Sequence, residues 1–191
     1  FKTLETALKS LELISKHGLR PCSAEFIDKK CISISKTLEN PFLGIKNITG
    51  YLIYFDFDGD SKKSVADQAI QCNDLIKQYT PLSSQIIESP RDQEQWWNYR
   101  RSISTLLKNY AKSKASHDIV VPISNLPETM SSIQKLSTHT VTVLGYGHLG
   151  DGNIHVNILN INSLEAEWKI EKKTISEKLF KLALAQEGSL T

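Results

Sequence analysis

The run Gly145-Tyr146-Gly147-His148-Leu149-Gly150-Asp151-Gly152-Asn153-Ile154-His155-Val156-Asn157 constrains this chain more than any other feature. Thr140–Leu144 is rich in β-branched residues and Ile154–Leu159 alternates apolar with polar, so both flanks read as strands. Asp-Gly between two strands is a strong hairpin signal. With Asp151 and Gly152 as a two-residue turn, Leu149 opposes Ile154, His148 opposes His155 and Tyr146 opposes Asn157. Directly opposed residues carry their Cβ atoms about 4.5–5.5 Å apart on one face of a sheet. Leu149, Ile154, Val156 and Ile158 then point the other way, giving one core face and one face of imidazoles, a phenol and an amide. A lone histidine on a sheet face is ordinarily a solvated residue. Two opposed histidines among four glycines, which let a ligand or another backbone come close, point to a metal or substrate site.

The same segment matches Gly-x-Gly-x-x-Gly at Gly145, Gly147 and Gly150. That pattern binds dinucleotides by delivering a pyrophosphate to the N-terminus of a following helix, whereas here a turn and an extended β-branched run follow. A nicotinamide site is therefore not expected.

A chain of 191 residues with 40% hydrophobic composition can bury a core as one domain, 1–191. Its 23 basic and 21 acidic residues leave a formal charge of +2, and the pairs Lys29-Lys30, Lys62-Lys63 and Lys172-Lys173 are scattered among acidic neighbours. No stripe suited to a phosphate backbone results, so nucleic acid is not expected as a partner. Cys22, Cys31 and Cys72 have neither paired nor zinc-type spacing and read as ordinary thiols of a reducing compartment. No apolar run approaches the roughly 18 residues of a membrane span. The expectation is a cytoplasmic protein, with peripheral association to the inner membrane (mitochondrial in a eukaryote) left open. The start, Phe1-Lys2-Thr3, suggests a chain that begins inside a longer protein.

Leu4, Ala7, Leu8, Leu11 and Ile14 recur at helical spacing, and Gly18 can close that helix. Tyr51–Phe57 alternates as a strand, and Ser61 is a suitable N-cap for a helix to about Tyr79. A short strand is expected at Gln85–Glu88, a long helix over Arg91–Lys112, a strand over His117–Val121, a helix opening at Ser124-Asn125-Leu126-Pro127-Glu128, and a last helix over Leu164–Gln186. Strands and helices alternate, but the hairpin is antiparallel and no nucleotide loop is present. The fold class is therefore α+β, an antiparallel sheet covered by helices.

Arg100 and Ser104 lie four residues apart and share one face of the long helix. A guanidinium grips a carboxylate bidentately, with a hydroxyl one turn away to add a bond. From helical spacing alone, a solvated arginine is the ordinary expectation. Arg101, about 100° round the helix, serves as the comparison residue.

The blocks Trp97-x-x-Arg100-x-x-x-Ser104, His117-Asp-Ile-Val-Val-Pro122-x-Ser124-x-Leu126-Pro127-Glu128, Gly147-His-Leu-Gly-Asp-Gly-Asn-Ile-His155 and Glu187-Gly-Ser-Leu-Thr191 resemble, in order and spacing, the C-terminal region of FAD-linked 2-hydroxyacid dehydrogenases. Ala24-Glu-Phe-Ile-Asp28 and Phe57-Asp-Gly-Asp60 fit earlier blocks of that family, so the resemblance covers nearly the whole chain. It is a family of D-lactate dehydrogenases, glycolate oxidase D subunits and D-2-hydroxyglutarate dehydrogenases. The resemblance implies a ferredoxin-like, substrate-binding cap domain that closes over FAD held mainly by another domain.

It also implies that His148 and His155 bind a divalent metal, zinc or manganese, that Arg100 and Ser104 hold the substrate carboxylate, and that Asn157 is a substrate-side amide. The substrate is then a small D-2-hydroxy acid such as D-lactate, glycolate or D-2-hydroxyglutarate. A glutamate completing the metal site belongs to a Gly/Ala-Glu-His-Gly block that follows this sequence in the family. The lysine that some members carry before the His117–Pro122 strand aligns near Ala115 or Ser116, with Lys114 displaced, so no lysine contact is assigned. No general base is assigned either. The chain by itself is expected to bind metal poorly and to be inactive, with homodimerisation left open. Two other classes remain from the residues alone: a non-catalytic ferredoxin-like module for a small ligand, and a zinc hydrolase domain, which needs a third ligand within the chain.

Overall fold

A computed structural model describes residues 1–37 and 49–190, and the side chains of 1–34 and 49–190. Thr191, the last residue of the C-terminal block, lies outside the described residues. Among the described residues the α-helices are α1 Leu4–Lys16, α2 Lys29–Thr37, α3 Lys62–Ile76, α4 Pro90–Tyr110, α5 Leu126–Gln134 and α6 Glu165–Ala185. Six strands are β1 Ser23–Ile27, β2 Leu52–Asp56, β3 Ser113–Val120, β4 Val141–His148, β5 Asn153–Asn160 and β6 Ser189–Leu190. The strands form one sheet in the order β2-β1-β4-β5-β3-β6, antiparallel at every pairing. The expected α+β class is the class observed.

Local chemistry accounts for most boundaries. The Thr3 and Ser61 hydroxyls accept from Thr6 N and Ser64 N and cap α1 and α3, as the sequence suggests for Ser61. Gly18, at φ +82°, takes the left-handed turn that ends α1. Pro90 opens α4, where a missing N–H costs nothing. Helix α2, unannounced by the alternating Ile32 and Ile34, is started by Asp28, whose carboxylate accepts from Cys31 N at 2.7 Å. The expected strand at Gln85–Glu88 is irregular chain. Among the described residues the edge strand β2 pairs only with β1, and the Ile87 carbonyl is met by the Gln93 side-chain amide at 2.9 Å instead of by a ladder.

Both faces of the sheet are covered. On one, Leu149, Ile154, Val156 and Ile158 pack with Leu4 and Leu8 of α1, Met130 and Ile133 of α5, and Trp168 and Leu179 of α6. That is the core face expected of the hairpin. On the other, Ile27, Leu144, Tyr146 and Leu159 pack under Cys31 and Ile32 of α2 and Trp96, Ile103 and Leu107 of α4. Burying side chains of this size stabilises by roughly 1.5–3 kcal/mol each. Helix α4 covers only part of its face, and the uncovered remainder carries the histidines. The three cysteines are free, and among the described residues no helix is long and apolar enough to cross a membrane.

Candidate active site

The hairpin register differs by two residues from the one expected. His148 opposes Asn153, Tyr146 opposes His155 and Leu144 opposes Asn157, across a four-residue connection Leu149–Gly152. Contacts outside the hairpin set this. Leu149 N donates to the Ala24 carbonyl of β1 at 2.6 Å, and Gly152 O accepts from Val121 N at 3.1 Å. Gly152 sits at φ +76° with its Cα against the Val121 carbonyl, where a Cβ would lie 2.0 Å from that oxygen. A slip of two preserves which face each residue occupies, so His148, His155, Tyr146 and Asn157 still share one face. The two imidazoles meet edge to face with centroids 5.3 Å apart.

Each imidazole is held from behind by a carboxylate. Nδ1 of His148 donates to Glu25 at 2.6 Å, and Nδ1 of His155 donates to Asp118 at 2.9 Å. Carboxylates only accept, so each Nδ1 carries a proton, and in the neutral ring each Nε2 keeps its lone pair. The register explains the pairing: Glu25 is the β1 partner of His148, and Asp118 is the β3 partner of His155. Neither carboxylate was singled out from the sequence. The signal for Glu25 was a charge inside the apolar run Ala24-Glu25-Phe26-Ile27, and for Asp118 its alternation with Ser116 on one strand face.

Arg100 also belongs to this cluster. It is 9% exposed, and its Nε and Nη2 donate to Glu25 Oε2 at 2.7 and 2.6 Å. Its guanidinium lies 4.7 Å from the centre of the Tyr146 ring. Burial pushes the Tyr146 phenol up in pKa, against the opposing pull of the Arg100 charge. One carboxylate, Glu25, therefore holds both Arg100 and His148.

Beside them is a recess of about 250 Å³ whose lining includes Arg100, Ser104, Tyr146, His155 and Asn157. Four of the five residues singled out from the sequence, Arg100, Ser104, His155 and Asn157, thus meet at one cavity, with His148 against the His155 ring. Asn157 is buried, its Oδ1 bonded to the Ser116 hydroxyl at 3.2 Å and its Nδ2 donating to the His155 carbonyl at 3.0 Å. One expectation needs correction. Arg101 is no outside comparison, because it too lines the recess, with its guanidinium bonded to Asn98 of its own helix at 2.8 Å. Lys114 does not line the recess, but β3 begins at Ser113, earlier than expected, and Lys114 Nζ donates to the Ser104 hydroxyl at 2.7 Å. Burial lowers the Lys114 pKa from its ordinary value. Among the described residues no group of three or more His, Cys, Asp or Glu side chains is arranged to hold a metal. The third ligand a zinc hydrolase requires is thus not supplied by those residue types there.

The sheet thus carries a carboxylate-braced histidine pair beside a recess lined by two arginines. The chain belongs to the family of FAD linked oxidases, C-terminal domain, whose model matches residues 1–191. It is 21% identical to a D-lactate dehydrogenase of Anaerostipes hadrus over 197 residues, covering 100% of this chain and 41% of that protein. It is 24% identical to a probable mitochondrial D-lactate dehydrogenase of Danio rerio, over 100% of this chain and 38% of that protein. A probable mitochondrial D-2-hydroxyglutarate dehydrogenase of Oryza sativa subsp. indica is 28% identical over 71% of this chain and 25% of its own length. The chain thus spans about two fifths, or less, of the relatives it matches. An alkyldihydroxyacetonephosphate synthase structure shares the fold over 100% of this chain and 39% of that one, with a TM-score of 0.57 at 13% identity.

Proposed function

We propose that this chain is the substrate-binding and metal-binding cap of an FAD-dependent dehydrogenase that oxidises a small D-2-hydroxy acid to the 2-oxo acid, with hydride passing to the flavin. The observation that supports this reading is the pair of Nδ1–carboxylate bonds, His148 to Glu25 and His155 to Asp118, which engage one nitrogen of each ring and leave the other for a ligand. Metal-binding histidines characteristically donate their other nitrogen to a carboxylate in this way. The donor set fits zinc or manganese, both of which take imidazole. Such a cation, when bound, supplies Lewis acidity that lowers the pKa of a hydroxyl placed on it.

The remaining work falls to this chain's own side chains. Arg100 has five N–H donors and Glu25 engages those on Nε and Nη2, so Nη1 is left for a substrate carboxylate at the recess. Lys114 and Ser104 stand ready as a joined ammonium and hydroxyl, and Arg101 adds a second guanidinium at the same recess. Two or more fixed donors on the carboxylate hold the carbon bearing the hydroxyl in one orientation, which fixes the direction of hydride departure. Tyr146 packs against the His155 ring, with centroids 5.2 Å apart, and excludes water from that side.

The flavin is held mainly by a part of the protein other than this domain, so the test needs the full-length protein. Anaerobic addition of D-lactate or D-2-hydroxyglutarate should bleach the flavin absorbance, and the L enantiomers should not. A full-length protein without flavin, or a flavin that no 2-hydroxy acid reduces, would contradict the reading.

A further inference from the structure

The recess beside the histidines carries more positive charge than one carboxylate uses. Glu25 accepts from both Nε and Nη2 of Arg100 and so offsets that guanidinium, and Asp118, which lines the recess, is bonded to His155. Arg101 and Lys114 are left over. Arg101 lines the recess and bonds the neutral amide of Asn98, Lys114 reaches it through the Ser104 hydroxyl, and neither makes an ion pair among the described residues. The wall is polar as well. Apart from the Tyr146 ring, every described side chain on it ends in a hydroxyl, amide, carboxylate, imidazole or guanidinium, and none is aliphatic. A substrate ending in a methyl group would find no apolar surface there, and in a closed site it would strip water from Arg101 without replacing the lost bonds.

We infer that Arg101 reads a second carboxylate, so that the substrate is a 2-hydroxy dicarboxylate rather than D-lactate or glycolate. The inference rests on the dehydrogenase reading proposed above. Successive residues of a helix project about 100° apart, so Arg100 and Arg101 meet the recess from different sides, the first buried and the second exposed. That geometry suits two anionic groups better than two grips on one. The carboxylate beside the hydroxyl takes Arg100 and Ser104, and the distal one takes Arg101, whose planar guanidinium can meet both of its oxygens. With Arg100 already offset by Glu25, the charges of Arg101 and Lys114 match a dianion, where a monoanion would leave one of them without a counterion.

The test is anaerobic flavin reduction in the full-length protein by D-2-hydroxyglutarate, by D-lactate, and by D-2-hydroxyvalerate, which has the carbon chain of the diacid but ends in a methyl group. Wild type should favour the diacid over both monoacids by about a hundredfold or more in kcat/KM, because a polar site rejects an analogue that leaves its donors unpaired. Arg101→Gln should shrink that preference about tenfold or more, the value of one charge-assisted hydrogen bond, mainly by raising KM for the diacid, and Arg101→Lys should keep part of it. Wild type that uses D-lactate or D-2-hydroxyvalerate as efficiently as the diacid would overturn the second-carboxylate site and leave the dehydrogenase reading standing. A preference for the diacid that Arg101→Gln does not alter would overturn the role of Arg101. A flavin that none of the three acids reduces would overturn both the inference and the reading beneath it.

Discussion

The two histidines face one another, but they are supported in opposite ways. His148 rests on Glu25, whose side chain is 4% exposed and also holds the buried Arg100. His155 rests on Asp118, whose side chain is 44% exposed and makes no other ion pair among the described residues. One half of the site is therefore continuous with the core, and the other is built on a strand face open to solvent. Removing the buried support leaves a desolvated guanidinium with nothing to offset it, whereas removing the exposed one lets water substitute. The histidines look equivalent in sequence, and the burial of the carboxylates behind them makes them different.

The strongest way to break this contrast is Glu25→Gln. Loss of the charge opposite Arg100 should cost about 3–5 kcal/mol of stability, read as a lower denaturation midpoint, together with a loss of metal affinity. Asp118→Asn should separate the two effects: stability within about 0.5 kcal/mol of wild type, and metal affinity down about tenfold. If Asp118→Asn unfolds the protein as readily as Glu25→Gln, the two halves are not different in kind. Lys114→Met sharpens the comparison on the exposed side. It should raise KM for the hydroxy acid about tenfold, the value of one charge-assisted hydrogen bond, with kcat and the melting temperature unchanged. A fall in kcat at constant KM would place Lys114 in the chemical step instead.

The smallest effect lies on the opposite face of β3. His117 bonds Ser176 at 2.8 Å and packs edge-on to Phe180, and burial lowers its pKa against the pull of Asp118. A histidine lowered in the folded state favours its neutral form, so its contribution is fully present above the unfolded value of about 6.5 and is lost as pH falls through the folded pKa. His117→Phe should flatten that part of the melting-temperature profile on the acid side and leave metal binding unchanged. A profile as steep as wild type would remove His117 as its cause.

Local patterns announced much of this fold. Leu4 to Ile14, the Ser61 cap and Pro90 carry their helix signals within a turn or two. The hairpin's faces were legible because side-chain parity survives a two-residue slip. Its register was not, because Leu149 and Gly152 are positioned by Ala24 and Val121, which lie on other strands. Of the site, the histidines, Arg100 and Ser104 stood out through spacing and family likeness. Glu25 did not, since its partners lie 75 and 123 residues away and nothing local marks it as their carboxylate. Lys114 was missed for a smaller reason: the polar start of β3, Ser113–Ser116, has no apolar alternation, and pairing with β5 makes it a strand.

The most direct test of the histidine pair is X-ray absorption at the zinc edge of the zinc-loaded full-length protein, compared with His148→Ala and His155→Ala. Two imidazole shells at about 2.0–2.1 Å in the wild type, falling to one in either variant, is the result this account predicts. A first shell without imidazole, or one unchanged by both substitutions, would contradict it.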